Sequence, residues 1–112
     1  MKVLLVKVLL DDVKRGIFFQ SRKKSSINQL FYAPPLNLLY LGRSLEDEGH
    51  SVEVIDFYCE KNPMETLRKS LGSSDAVGLS VYTNNCADTA YVAQTIKDSH
   101  PEVPIIIGGP HC

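Results

Sequence analysis

Residues 3–10 read Val-Leu-Leu-Val-Lys-Val-Leu-Leu, apolar at every position except Lys7. A strand with one face in water alternates polar and apolar residues, whereas a strand covered on both faces, as in a parallel sheet between helices, reads as a continuous apolar run. The run is too short to span a membrane, stops at Asp11 and Asp12, and is followed by no small-residue cleavage site. It therefore predicts a first, fully buried strand over Val3–Leu10, which requires helices on both sides of a sheet. The rest of the chain supplies them.

A polar stretch follows from Asp11 to about Tyr32, with Lys14, Arg15, Arg22, Lys23 and Lys24 beside Ser25 and Ser26. A connection this long is either a functional loop or a solvated one, and the basic residues fit both readings. Pro34 and Pro35 then open a helix from about Leu36 to Glu48, with Leu38, Leu41 and Leu45 as its apolar stripe. Gly42 beside the stripe would let that helix approach the sheet, and Gly49 would stop it. Ser51–Phe57 is the second strand. Asn62, Pro63 and Glu65 combine a cap, a first-turn proline and a carboxylate at the start of a short helix ending near Gly72. Ala76–Tyr82 is the third strand. Asn85, with Asp88 three residues on, predicts a capped helix to about Ser99 with Ala87, Ala90, Ala93 and Ile96 inward. Pro101 and Pro104 close it, Val103–Ile107 is the fourth strand, and Gly108-Gly109-Pro110 turns out of it. Strands alternating with crossover-length helices define a parallel α/β fold.

With 112 residues, one core is expected. Twelve basic and thirteen acidic residues leave a net charge of −1, so no overall field recruits nucleic acid or an anionic membrane. Cys59, Cys86 and Cys112 are odd in number and widely spaced, which suits reduced thiols rather than a disulfide framework or a CxxC metal site. The chain reads as cytoplasmic, and its stop just after a strand exit reads as a fragment of something longer.

In an open, doubly wound sheet, ligands sit outside the carboxyl ends of the strands where the strand order reverses. Those ends are Leu10–Asp12, Asp56–Tyr58, Ser80–Asn85 and Gly108–His111. A dinucleotide site would need GxGxxG after strand one, where Asp11-Asp12-Val13-Lys14-Arg15-Gly16 stands instead. A phosphate-accepting receiver would need an aspartate ending strand three, where Ser80-Val81-Tyr82-Thr83 stands. A flavodoxin-type site would need a Ser/Thr-rich phosphate loop after strand one, also missing. What remains is a rim of small and hydroxyl-bearing residues, Ser80, Thr83, Asn84, Asn85, Gly108 and Gly109, suited to a large, mostly neutral cofactor. The same glycines can serve as a plain turn and Ser80 as a core hydroxyl; spacing does not choose between these.

The segment Pro34-Pro35-Leu36-Asn37-Leu38-Leu39-Tyr40-Leu41, running through Leu45-Glu46-Asp47-Glu48-Gly49-His50 into Val52-Glu53-Val54-Ile55-Asp56, resembles the opening of the B12-binding domain of B12-dependent radical SAM proteins. Asp75–Thr83 and Pro104–His111 resemble that domain's third and fourth strands with their exits. The family often carries labels such as Fe-S oxidoreductase or Mg-protoporphyrin monomethyl ester cyclase. The resemblance implies a flavodoxin-like, Rossmann-like three-layer sandwich of five parallel strands, truncated here after the fourth. It also implies cobalamin over the carboxyl ends, with its nucleotide tail directed between strands one, three and four. The cofactor-binding residues so implied are Ser80, Tyr82, Thr83, Gly108 and Gly109.

Other B12-binding domains carry DxHxxG after strand one, whose histidine ligates cobalt. Asp11, Val13 and Gly16 occupy that spacing, but valine cannot coordinate a metal. The radical SAM branch commonly lacks this histidine. Of the other imidazoles, His50 and His111 stand near element ends, and His100 reads as a surface or capping residue. No CxxxCxxC occurs, so a 4Fe-4S cluster and S-adenosylmethionine are expected only in a radical SAM domain following Cys112, with a small-molecule substrate and methyl transfer or related chemistry. No catalytic residue or metal ligand is expected in this chain. The competing expectation is a degenerate α/β domain that binds no cobalamin and serves packing or substrate recognition.

Overall fold

A computed structural model describes residues 1–8 and 35–110. In it the chain runs β1 (Lys2–Lys7), α1 (Leu36–Asp47), β2 (Ser51–Asp56), α2 (Pro63–Leu71), β3 (Ala76–Ser80), a single 3-10 turn (Thr83–Asn85), α3 (Cys86–Ser99) and β4 (Ile105–Gly108). The four strands form one parallel sheet in the order β2-β1-β3-β4. The parallel α/β fold expected from the alternation of elements, flavodoxin-like as the resemblance implies, is the fold observed. Asp11, Asp12, Val13, Gly16, the basic segment 14–24, His111 and Cys112 lie outside the described residues.

Strand order decides where the helices go. From β1 the chain steps one way to β2, then reverses past β1 to β3 and continues to β4. Right-handed crossovers place helices on opposite faces when the direction of travel reverses. Accordingly α1 packs on one face, where Val3, Leu5 and Leu38 are buried with Leu45, Val52 and Val54 against them. The opposite face holds α2 and α3. There Leu67, Leu71, Val92 and Ile96 close over Leu4, Val6, Ile55, Phe57, Val77 and Leu79. Because α1 covers β1 and β2, its face of the sheet is open over β3 and β4.

The buried run of β1 is as the sequence predicts: Leu4 and Val6 are fully buried and Val8 is 1% exposed, while Leu9 and Leu10 lie outside the described residues. Gly42 also plays its expected part, since a Cβ there would stand 3.2 Å from Val52 Cγ1. Gly49 ends α1 at φ 91°.

Five expectations need correction. Leu41, expected inward, is about half exposed, because it lies on the flank of α1 that overhangs the open part of the sheet. On α3 the buried residues are Asp88, Thr89, Val92 and Ile96, while Ala87 and Ala90 are exposed. A constant step of three fails here because a helix turns roughly 100° per residue, so positions 87 and 96 fall on opposite sides. Asn62 and Asn85 occupy the N-cap positions of α2 and α3, yet neither side chain makes a capping bond. Asn62 has ψ 77°, away from the extended geometry that aims a cap side chain at the helix amides, and Asn85 is engaged elsewhere. Finally, β3 ends at Ser80 rather than Tyr82, because the Tyr82 amide donates to Asn85 Oδ1 and the chain turns. The fourth strand is correspondingly Ile105–Gly108, two residues short of the expected start. β4 lies at the edge, with Ile106 62% and Ile107 52% exposed.

Candidate functional site

The open part of the α1 face forms a cleft of about 250 Å³. Its floor follows from period-two alternation in adjacent parallel strands. Gly78 pairs with Ile106 and Ser80 with Gly108, so these four residues share one face, and Leu5 of β1 continues it through its pairing with Gly78. The side wall is α1, through Asn37, Leu38 and Leu41. Leu79 and Gly109 complete the lining. Apart from Asn37 and Ser80, every side chain in this lining is apolar or hydrogen.

The cleft is kept open by what the floor lacks. Gly78 leaves space that Leu5 partly takes, since a Cβ at position 78 would stand 2.8 Å from Leu5 Cδ2. At Gly108 a Cβ would meet nothing within 4 Å, so the fold does not require glycine there. Gly109 is different. Its φ is 114°, and a Cβ would lie 2.6 Å from the Val81 carbonyl oxygen, so the backbone itself demands glycine. The pair expected from sequence thus divides into one glycine that makes the turn and one that leaves room.

Two asparagines organise the polar end. Asn37, in the first turn of α1, donates through Nδ2 to Ser80 Oγ at 3.2 Å, joining the helix to the carboxyl end of β3 across the cleft. Asn85 is 4% exposed and donates through Nδ2 to the carbonyls of Val8 at 3.0 Å and Ser80 at 3.2 Å. Its Oδ1 accepts from the Tyr82 amide at 2.7 Å. One carboxamide therefore satisfies backbone groups at the exits of both central strands, which buried carbonyls require. This demand is why Asn85 does not cap α3.

Of the residues expected to bind a cofactor, Ser80, Gly108 and Gly109 come together in the cleft. Tyr82 is half-buried and Thr83 exposed, and both stand beyond the end of β3, outside the cleft lining. Sequence reasoning missed Gly78, Ile106, Leu41 and Asn37 as cleft residues. A glycine inside an apolar strand is a recognised mark of close approach by another group, so Gly78 was detectable. Nothing in the sequence singles out Asn37, whose part depends on how α1 crosses the sheet. Among the described residues there is no group of His, Cys, Asp or Glu able to hold a metal ion. Cys59 is exposed and Cys86 half-buried, and the two are not joined in a disulfide. No described helix is long and apolar enough to cross a membrane.

Comparison with known proteins gives the family. The family described as the B12 binding domain matches residues 27–112. An uncharacterised methyltransferase of Pyrococcus horikoshii is 32% identical over 80 residues, a match covering 70% of this chain and 17% of the relative. No solved structure matches. With a family match over most of its length, on a parallel sheet with a cleft at its carboxyl ends, the chain belongs to the B12 binding domain family.

Proposed function

We propose that the chain is the cobalamin-holding module of a B12-dependent radical SAM enzyme, and that the cleft beside α1 takes the heterocyclic base of the cofactor's nucleotide tail. The carrying observation is the fit between the cleft and one part of cobalamin. The corrin macrocycle is far too large for about 250 Å³ and is rimmed with amides. The base is flat and apolar, with a single ring nitrogen able to accept a hydrogen bond, and the cleft is apolar with a single hydroxyl at its polar end. Ser80 would meet that nitrogen, Leu5, Leu38, Leu41 and Ile106 would cover the ring, and Gly108 would leave it room. The corrin would rest above the carboxyl ends, near Tyr82 and Thr83. When bound, cobalamin supplies a cobalt centre able to carry a methyl group. This chain's residues bind it, orient it and keep water from its base.

The radical SAM part of the proposal is supported by the resemblance of residues 34–111 to that branch and by the methyltransferase name of a relative of which the match covers 17%. The 4Fe-4S cluster, S-adenosylmethionine and substrate would belong to another part of a longer protein. Hydroxocobalamin titration, followed by the visible spectrum and amide shifts, tests the binding. Saturable shifts at Ser80, Gly108 and Gly109 are expected, and saturating cobalamin that moves none of them overturns the reading. A full-length protein without CxxxCxxC and without bound iron would overturn the radical SAM assignment alone.

A further inference from the structure

We infer that Asn37 is a positioning residue that sets the direction of the Ser80 hydroxyl and thereby the cleft's preference for a base with a hydrogen-bond acceptor. The inference rests on the reading of the cleft as the seat of the nucleotide base.

A serine hydroxyl has one proton to give and two lone pairs. Ser80 Oγ accepts from Asn37 Nδ2 at 3.2 Å, and no hydrogen bond donated by that hydroxyl is found among the described residues. The Asn37 amide occupies a lone pair, so the hydroxyl proton is directed away from α1. Asn37 and Ser80 are the two polar residues of the lining, and every other wall is aliphatic or glycine. An acceptor entering the cleft therefore meets a donor already turned toward it. Ser80 is 2% exposed and its backbone is held in β3, so what remains to be set is the orientation of its hydroxyl. Asn37 sets it. Without that bond the proton samples several directions, and ordering it falls to the ligand. Asn37 itself is exposed on the first turn of the helix, where its removal leaves the two cores untouched.

Two variants distinguish direction from mere polarity. Asn37→Ala removes the donor and leaves the Ser80 hydroxyl free to rotate. Asn37→Asp reverses the bond, because a carboxylate only accepts and draws the Ser80 proton toward α1. Cobalamin affinity is expected to fall roughly 3- to 10-fold in Asn37→Ala, the worth of one neutral hydrogen bond, and further in Asn37→Asp. The control ligand is cobinamide, which has the same corrin but no nucleotide base. Both variants should bind it as the unsubstituted chain does, within about twofold by the same hydrogen-bond scale. Equal losses for cobalamin and cobinamide, unchanged cobalamin affinity in both variants, or Asn37→Asp binding cobalamin better than Asn37→Ala would each overturn the inference and leave the cobalamin reading standing. An unsubstituted chain that binds neither ligand would overturn both.

Discussion

The adjacent glycines after β4 look interchangeable in sequence and are opposite in consequence. Gly109 sits at φ 114° with the Val81 carbonyl oxygen 2.6 Å from where a Cβ would be, so Gly109→Ala must both enter a left-handed conformation and displace backbone. A cost of about 1–3 kcal/mol is expected, read as a melting temperature lower by several degrees. Gly108→Ala meets open space, so its stability should stay within about 0.5 kcal/mol of the parent, as surface substitutions usually do. Yet Gly108 lines the cleft, and a methyl group there occupies volume the proposed base would use. Cobalamin affinity should fall in Gly108→Ala at unchanged stability. Stability loss at 108, or none at 109, would contradict this division.

Elements were legible in the sequence where one rule governed them, and misread where two competed. β1 needed only its apolar run, and α1 only Pro35, Gly42 and Gly49, so both came out within a residue or two across the described residues. α3 was misread at Asn85 and along its inward face, because the cap rule and a three-residue step both ignore tertiary demand. The buried carbonyls of Val8 and Ser80 take the Asn85 amide, and the face carrying Thr89 and Val92 meets the core. The cleft was half legible for the same reason. Ser80, Gly108 and Gly109 stand at strand ends, which topology marks, whereas Asn37 and Leu41 reach the cleft only through the placement of α1 over β1 and β2. The Asn85 bridge can be tested as a unit. Asn85→Ala leaves two buried carbonyls and one amide without their partner and should cost about 1–3 kcal/mol. Asn85→Asp keeps the acceptor for Tyr82 but sets a carboxylate against the two carbonyls, so it should be less stable than Asn85→Ala at neutral pH in urea unfolding. Equal stability of the three chains would show that the bridge holds nothing.

At the scale of the whole molecule, the reversal of strand order at β1 gives the sheet two unequal faces, and the inequality has dynamic content. The α2–α3 face buries Leu67, Leu71, Val92 and Ile96 over Phe57 and five fully or nearly fully buried strand residues, while α1 buries only Leu38 and Gly42 and leaves Leu36, Leu39, Tyr40 and Leu41 about half exposed or more. Local opening free energy follows buried apolar contact, so α1 should open well before the sheet or α3. Amide hydrogen exchange is expected to be fastest in α1 among the helices and slowest in β1 and β3. Truncation should show the same asymmetry. Leu67→Ala in the larger core is expected to cost about 2–5 kcal/mol, and Leu41→Ala at the half-exposed flank less than 1 kcal/mol. A base seated in the cleft would rest against Asn37, Leu38 and Leu41, adding to α1 the apolar contact it lacks. Saturating cobalamin should therefore slow exchange along α1 while leaving α2, on the opposite face, unchanged. Uniform slowing of every helix would signal stabilisation of the fold as a whole, and protection confined to α2 or α3 would put the ligand on the wrong face of the sheet. Protection confined to α1 is the outcome that strand order, by leaving β3 and β4 open beside that helix, requires of a ligand in this cleft.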